Sequence, residues 1–357
     1  MSAQNKFHFF TYRTALRFHI ARKLEKLGWE RAPSFESARF TDQNLTLCDE
    51  ISKHLEYKHF LAELLRETSE KIMPLTYCIN DDNYQRVLAK LIYEHYLVNN
   101  QYKKNLTNLK WILKPSTLNN GDLIKLFNNV EEIKAHYAKS SRLGGEHVIQ
   151  QYIPNPDLIA GRKYTFRVMG VLTNYSGIFL YKQGYVNISD YLYDLKDNFL
   201  NKKAHITNYV LDGEFANIEQ RPSQDLPHFD VIYSKMCKIV LQVMKILLKK
   251  YPTYLVFDKI KKFELFGFDF ILDQNNKLWL LEINQSPDAP TFEENKLTTI
   301  LWEPFWEDII HDFVLPIALE NNSRLDYKNF TQILRPCAYS RVKQLIHSVI
   351  RVICGNE

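Results

Sequence analysis

FELFGFDFILDQNNKLWLLEIN, residues Phe263 to Asn284, holds two apolar runs around a polar centre, and Asp269, Glu282 and Asn284 sit inside those runs. The centre, Gln274-Asn275-Asn276-Lys277, has the composition of a four-residue loop and predicts a β-hairpin that pairs Asp273 with Leu278. In that register Asp269 faces Glu282 across the strands. The two-residue alternation of a strand puts Asn284 on the same face. Phe266, Phe268, Phe270, Trp279, Leu281 and Ile283 take the other face and read as core. Two carboxylates and an amide then lie within about 5–8 Å of one another at Cβ. Directly opposed like charges are unfavourable unless something neutralises them. A hard cation would do so, and Mg²⁺ is commonly held by one or two carboxylates together with substrate phosphates. Spacing alone leaves a second reading open, a solvent-washed polar face.

Working outward, Lys6 to Phe10 reads as a short strand, and Thr14 to Leu27 as a helix that Gly28 ends. Ser52 to Arg66 reads as a second amphipathic helix. Met73-Pro74-Leu75-Thr76 turns extended, and Gln85 to Leu97 is again helical. From Lys110 the pattern changes to short apolar runs bounded by turns: KWILKP, EHVIQQYI, GRKYTFRVMGVLTN and GIFLYKQGYV. These predict antiparallel strands. Helices are expected over Val231–Lys250 and Phe305–Glu320. The chain thus reads as α+β with one central, mainly antiparallel sheet and no internal repeats.

Composition narrows the class. The 357 residues are enough for one large domain or two to three smaller ones, and 45% hydrophobic with 24% charged residues is ordinary for a soluble globular protein. The net charge of +5 suits an acidic or phosphorylated partner and calls for no nucleic acid. The five cysteines are scattered without C-x-x-C spacing, which reads as thiols in a reducing compartment. MSAQNKFHFFTYRT has no continuous apolar run with a small-residue cleavage site, and no window approaches membrane-spanning length. A cytoplasmic protein is expected.

Two basic residues stand out. On Lys163–Val171, Arg167 shares a face with Thr165 and Met169, opposite Tyr164, Phe166 and Val168. A mid-strand guanidinium needs a partner for its planar fork. A substrate carboxylate or acyl phosphate would supply one, and so would a structural ion pair. Lys114 precedes Pro115 and a loop containing Gly121, which points it at an anion rather than at solvent. His205 reads as a packing or hydrogen-bonding residue.

The hairpin, with its F-E-L-F-G-F-D-F and L-W-L-L-E-I-N-Q-S-P, resembles the signature of the tubulin–tyrosine ligase-like ATP-grasp enzymes, F-x-L-x-G-x-D-F and W-L-x-E-x-N-x-x-P. HVIQQYI is similar to the family's V-I-Q-K-Y-I strand, GRKYTFR to G-R-K-[FY]-D-[IL]-R, and LYKQG to Y-[KR]-E-G. AHITN resembles H-L-T-N, and KWILKP resembles W-I-x-K-P. Lys58 sits where the family carries a helix lysine in K-x-x-L. These motifs occur in order over roughly residues 1–320.

The resemblance implies an ATP-grasp fold: a small N-terminal α/β domain over 1–55, a central domain over 56–155, a C-terminal antiparallel-sheet domain over 156–320, and a basic amphipathic tail over 321–357. It implies ligation of a carboxylate to an amine with ATP and Mg²⁺ through an acyl phosphate, adding an amino acid to a protein or peptide. Asp269, Glu282 and Asn284 would hold Mg²⁺ against the phosphates. Lys58 and Lys114 would sit on phosphate oxygens. Gln150, Gln151, Tyr152 and Ile153 would line the adenine slot, and Lys163, Thr207 and Asn208 would contact ATP or the acyl phosphate. Arg167 and Lys114 would act in catalysis. Tubulin, or another protein with an acidic tail, is the first acceptor to test.

The sequence departs from the family in places. The family's K-P-x-x-x-S-R-G-R-G-I loop is here Lys114-Pro115-Ser116-Thr117-Leu118-Asn119-Asn120-Gly121-Asp122-Leu123-Ile124, with Leu123 in place of the second Gly. Gln151 replaces the hinge lysine, Thr165 an Asp, and Asn187 a second Arg. An active ligase with another amino acid or acceptor fits these changes. So does a catalytically impaired fold serving as a protein-binding module. In the tail, Val342, Leu345, Ile346, Val349, Ile350 and Ile353 form one face of a helix with Arg341, Lys343 and Arg351 elsewhere. Core docking is the expectation, with a membrane surface or an acidic partner as the alternative.

Overall fold

A computed structural model describes residues 5–66, 68, 70–94, 109–118, 121, 123–208, 210–211, 214–215, 218–257, 259–291, 296–320 and 326–335. The N-terminal lobe runs β1 (Lys6–His8), α1 (Ala15–Lys26), β2 (Glu30–Arg31) and β3 (Phe40–Thr41), with the strands parallel in the order β2-β1-β3. Gly28 at φ 79° closes α1 as its position predicts. The helix expected over Ser52–Arg66 is two helices, α2 (Asp49–Glu56) and α3 (Lys58–Leu65), broken where Tyr57 turns extended at ψ 122°. The break has a distant cause. Ser116 accepts the Lys58 amide on its carbonyl at 3.3 Å and the His59 amide on Oγ at 3.1 Å, so a loop some sixty residues on caps the new helix.

A second layer follows: β4 (Thr76–Ile79), α4 (Tyr84–Ile92), β5 (Trp111–Pro115), β6 (Lys125–Phe127), α5 (Val130–Tyr137) and β7 (His147–Gln151). Its strands form an antiparallel sheet, β4-β7-β5-β6. Trp111, Leu113 and Ile149 pack with Leu88, Leu91 and Ile133 of the helices. Alternation therefore sends Ile112, Lys114 and Gln150 to the opposite face.

The largest sheet is built from β8 (Leu158–Ile159), β9 (Arg162–Thr173) and β10 (Ile178–Leu192). Then come α6 (Lys202–His205), the small pair β11 (Val210–Leu211) and β12 (Glu214–Phe215), β13 (Ile218–Pro222) and α7 (Phe229–Lys250). The hairpin β14 (Phe263–Leu272) and β15 (Leu278–Gln285) follows, then a helical run containing α8 (Glu303–Ile309) and α9 (Leu315–Ala318), and finally β16 (Phe330–Leu334). The order is β13-β10-β9-β14-β15, with β16 on β10 and β8 on β9. The α+β reading holds, but the single central sheet does not: among the described residues β4–β7 and the strands of the large sheet pair among themselves as two separate antiparallel sheets, besides the parallel one and the small β11–β12 pair. Part of the expected tail is β16, an edge of the large sheet. The amphipathic stretch Arg341–Ile353, with Cys337 and Cys354, lies outside the described residues, as do Asn119, Asn120 and Asp122 of the loop. Cys48, Cys78 and Cys237 are free thiols. No described helix is long and apolar enough to cross a membrane.

One face of the large sheet is core throughout: Phe166, Val168 and Phe268 pack on Met236, Val240 and Met244 of α7. The other face changes character along its strands. At one end Met169, Val171 and Leu265 are covered by α1 and the C-terminal helices through Leu24, Phe305 and Phe313. Further along, β9 reads Arg167, Thr165 and Lys163, and β14 reads Asp269, and these residues line a cavity with only the short α6 against Lys163. The polar face of the four-stranded sheet stands there instead.

The hairpin reaches its expected pairing by an unexpected route. Leu272 pairs with Leu278, one residue inside the predicted register, and Asp273 N donates to Lys277 O at 3.0 Å. A bulge at Leu281 then restores the frame, so that Asp269 does face Glu282. The bulge reverses alternation between turn and site. Leu278 and Leu280 are core, whereas Trp279 and Leu281, expected there, are not. Trp279 is held outward by its indole N–H, which donates to Asp273 Oδ2 at 3.0 Å.

Candidate functional site

A cavity of about 590 Å³ lies between the two antiparallel sheets. Its floor is the polar half of the large sheet and its roof the outward face of β5 and β7. One end is mostly apolar, with Pro74, Ile112, Ile271 and Leu281 around the Gln150–Ile153 segment. The middle is charged. The far end, beyond Thr165, is lined by amides and aromatic rings.

In the middle, Arg167 and Asp269 are cross-strand partners on β9 and β14. The guanidinium donates from Nε and Nη2 to the two Asp269 oxygens, both at 2.5 Å. Of the partners considered for Arg167, the structure supplies the ion pair. Glu282 faces Asp269 on the next strand, and Asn284 Nδ2 donates to Asp269 Oδ2 at 3.2 Å and to Glu282 Oε1 at 3.4 Å. Lys58, aimed inward by the break before α3, places Nζ 3.7 Å from Glu282 and donates to the Leu118 carbonyl at 2.8 Å. Burial pushes the Glu282 carboxyl up, but the charges of Lys58, Lys114 and Arg167 outweigh it and hold the group below the usual carboxylate range. Asp269 stays above that range, because burial and the neighbouring Glu282 outweigh its arginine.

Lys114 Nζ donates to Gln150 Oε1 at 3.0 Å, and Gln150 Nε2 donates in turn to Thr76 at 2.9 Å. Lys163 Nζ donates to the Tyr152 hydroxyl at 3.0 Å and the His205 carbonyl at 2.7 Å, with no carboxylate partner among the described residues. Burial, helped by nearby Lys114, pushes Lys163 down to about 7, and burial also lowers Lys114. Thr207 shares a 2.8 Å hydrogen bond with Thr165, and Asn208 lines the same wall. His205 contacts Tyr152 and Asp197 at 3.0 Å each, the packing role expected of it.

All the residues singled out in the sequence therefore meet at this cavity: Lys58 and Asn284 reach it through Glu282, and the others line it. Sequence reasoning missed much of the far end, above all Tyr185, Gln220, Asp288, Lys296 and Trp302. The Tyr185 and Trp302 rings meet at a tilt, 5.7 Å between centroids, where cavity meets core. Gln220 arrives through the β10–β13 pairing, for which local sequence carries no signal.

The donor set suits a hard cation: two carboxylates across one strand pair with an amide beside them. Among the described residues no group of three or more His, Cys, Asp or Glu side chains is placed to hold a metal. Any ion here would draw its remaining ligands from water or a bound phosphate. One loop feature bears on phosphate. Leu123 sits at φ 55° beside Gly121 at 76°, so the leucine keeps the left-handed backbone that a glycine would favour.

Known proteins resemble this chain in sequence. The chain is 26% identical over 263 residues to a probable tubulin polyglutamylase of Homo sapiens, covering 68% of this chain and 40% of that protein. It is 25% identical over 286 residues to a probable alpha-tubulin polyglutamylase of Tetrahymena thermophila, covering 72% and 67%. It is 32% identical over 218 residues to tubulin glycylase 3D of the same ciliate, covering 56% and 20%. The chain thus spans 40% of the human relative's length and a fifth of the glycylase's. Residues 45–323, well over half of the sequence, match the model of the tubulin-tyrosine ligase family, and the protein belongs to that family.

Proposed function

We propose that the protein is an ATP- and Mg²⁺-dependent carboxylate–amine ligase of ATP-grasp architecture that adds an amino acid to a protein or peptide. The observation that carries this reading is the Asp269–Glu282 pair in one cavity with three inward lysines, Lys58, Lys114 and Lys163. An apolar slot beside Gln150–Ile153 is suited to a base. Lysines are suited to phosphate oxygens. Asp269, Glu282 and Asn284 would hold the metal, which supplies charge neutralisation on the phosphates.

The reaction leaves little covalent work to the protein. A substrate carboxylate oxygen takes the γ-phosphoryl group and ADP departs. The amine then attacks the carbonyl carbon, phosphate leaves, and the nitrogen loses a proton. Lys114 and Lys163 neutralise charge moving along the phosphates, and Arg167 fixes the Asp269 carboxylate while adding positive charge beside the acyl centre. Tubulin is the acceptor to test first, because the relatives are named for acting on it. The +5 net charge suits its acidic tails, and a cytoplasmic site of action goes with it. ADP release is the assay. Release that requires MgATP, an amino acid and tubulin together supports this reading. A folded protein that turns over ATP with none of the amino acids points to the binding-module alternative.

A further inference from the structure

We infer that the far end of the cavity, floored by Asn187 and Gln220, is an amino-acid subsite selecting an uncharged side chain and rejecting glutamate and aspartate. The inference rests on the ligase reading and names its substrate class. Position comes first. Across the floor the strand order is β14, β9, β10, β13: Asp269 pairs with Arg167, and two residues along β9 Thr165 pairs with Asn187, which pairs with Gln220. At about 4.8 Å per strand, Asn187 lies roughly 10 Å and Gln220 roughly 14 Å from the strand of Asp269. This end is continuous with the charged centre yet beyond the groups assigned to phosphates.

Charge decides what can bind there. Among the described residues the lysines and arginines lining the cavity are Lys114, Lys163, Arg167 and Lys296. The first three stand on the phosphate side and already donate to Gln150, to Tyr152 with the His205 carbonyl, and to Asp269. Arg162 at the start of β9 and Arg221 on β13 are both paired with Glu219, the former at 2.7 Å. Asp288 and Lys296, exposed at the mouth, are one charge of each sign and match the ammonium and carboxylate common to every free amino acid. What remains for the side chain is neutral. Gln220 Nε2 donates to Asn187 Oδ1 at 2.9 Å, leaving amide donors on Asn187 and an acceptor on Gln220, with the Tyr185 and Trp302 rings beside them. A second carboxylate placed there would find no cation left for it among the described residues, with Asp288 nearby. Asn187 and Gln220 are half-buried, and polar groups that mismatch a ligand there reject it by about tenfold or more.

The test is calorimetry on the full chain saturated with Mg²⁺ and a non-hydrolysable ATP analogue, titrated with single amino acids. Expected is that glycine, alanine, serine or another uncharged amino acid binds at least tenfold more tightly than glutamate or aspartate. Asn187→Arg and, separately, Gln220→Lys should each shift the preference at least tenfold towards glutamate. Binding of the analogue reports that each variant is folded. Glutamate bound as tightly as any neutral amino acid overturns the inference, as does no amino-acid binding with the analogue in place, or both variants leaving the preference unmoved. Failure of the Mg²⁺-analogue itself to bind overturns the ligase reading instead.

Discussion

Replacing Arg167 by Met removes both hydrogen bonds to Asp269 and leaves two carboxylates facing one another across β14 and β15. The pair is largely sheltered, with side chains 17% and 15% exposed. Removing one partner from a buried, bidentate pair costs about 3–5 kcal/mol. Residual exposure and the charge of Lys58, 3.7 Å from Glu282, reduce that to roughly 2–4 kcal/mol here. Asp269→Asn should cost less, because the stranded guanidinium still has Glu282 nearby and the two-carboxylate repulsion is gone. The double variant Arg167→Met/Asp269→Asn then falls short of the summed losses by about 2 kcal/mol, as residues sharing one network do. Urea unfolding of the four proteins measures this directly, with each kcal/mol also lowering Tm by about 2 °C in a chain of this size. Additive losses, or an Arg167→Met variant within about 0.5 kcal/mol of the parent, would refute the claim that this ion pair is a structural part of the site.

Leu123→Gly relieves a left-handed backbone and should stabilise by about 1 kcal/mol, seen as a rise in Tm; a fall would mean that the leucine side chain makes a compensating contact. Gly184→Ala places a Cβ against the Arg167 carbonyl at the β9–β10 irregularity, and should cost about 1–3 kcal/mol in urea unfolding; unchanged stability would contradict the packing described. Lys163, held near 7 by burial, is partly neutral at pH 7.5, and a phosphate beside it restores its charge. Nucleotide binding should therefore take up a proton and weaken as pH rises above 7, as calorimetry in buffers of different ionisation heat would detect. Lys163→Met should abolish the uptake. The unliganded fold runs the opposite way: with a folded value below that of a free lysine, the Lys163 contribution to stability is lowest below pH 7 and recovers towards pH 10.

The carboxylates were legible because strand alternation is local: Asp269, Glu282 and Asn284 interrupt apolar runs at positions that one hairpin brings together. Features set by distant groups were not. The Tyr57 break depends on Ser116. The Leu281 bulge depends on Asp273, which accepts from the Asn275 and Lys277 amides and from Trp279, tightening the turn by one residue. The amide wall depends on β13 lying against β10, a pairing that composition around Gln220 does not announce. The partner of Arg167 was legible only as a set of alternatives, since a guanidinium fork fits any carboxylate and only the β9–β14 register names Asp269.

The central claim is that the Asp269–Glu282 pair exists to hold a metal against a nucleotide. Calorimetric titration of ATP with and without Mg²⁺, on the parent and on Glu282→Gln, tests it most directly. The account predicts binding that requires Mg²⁺ and is lost in the variant. ATP binding that ignores Mg²⁺, survives Glu282→Gln, or is absent from the folded parent would contradict it.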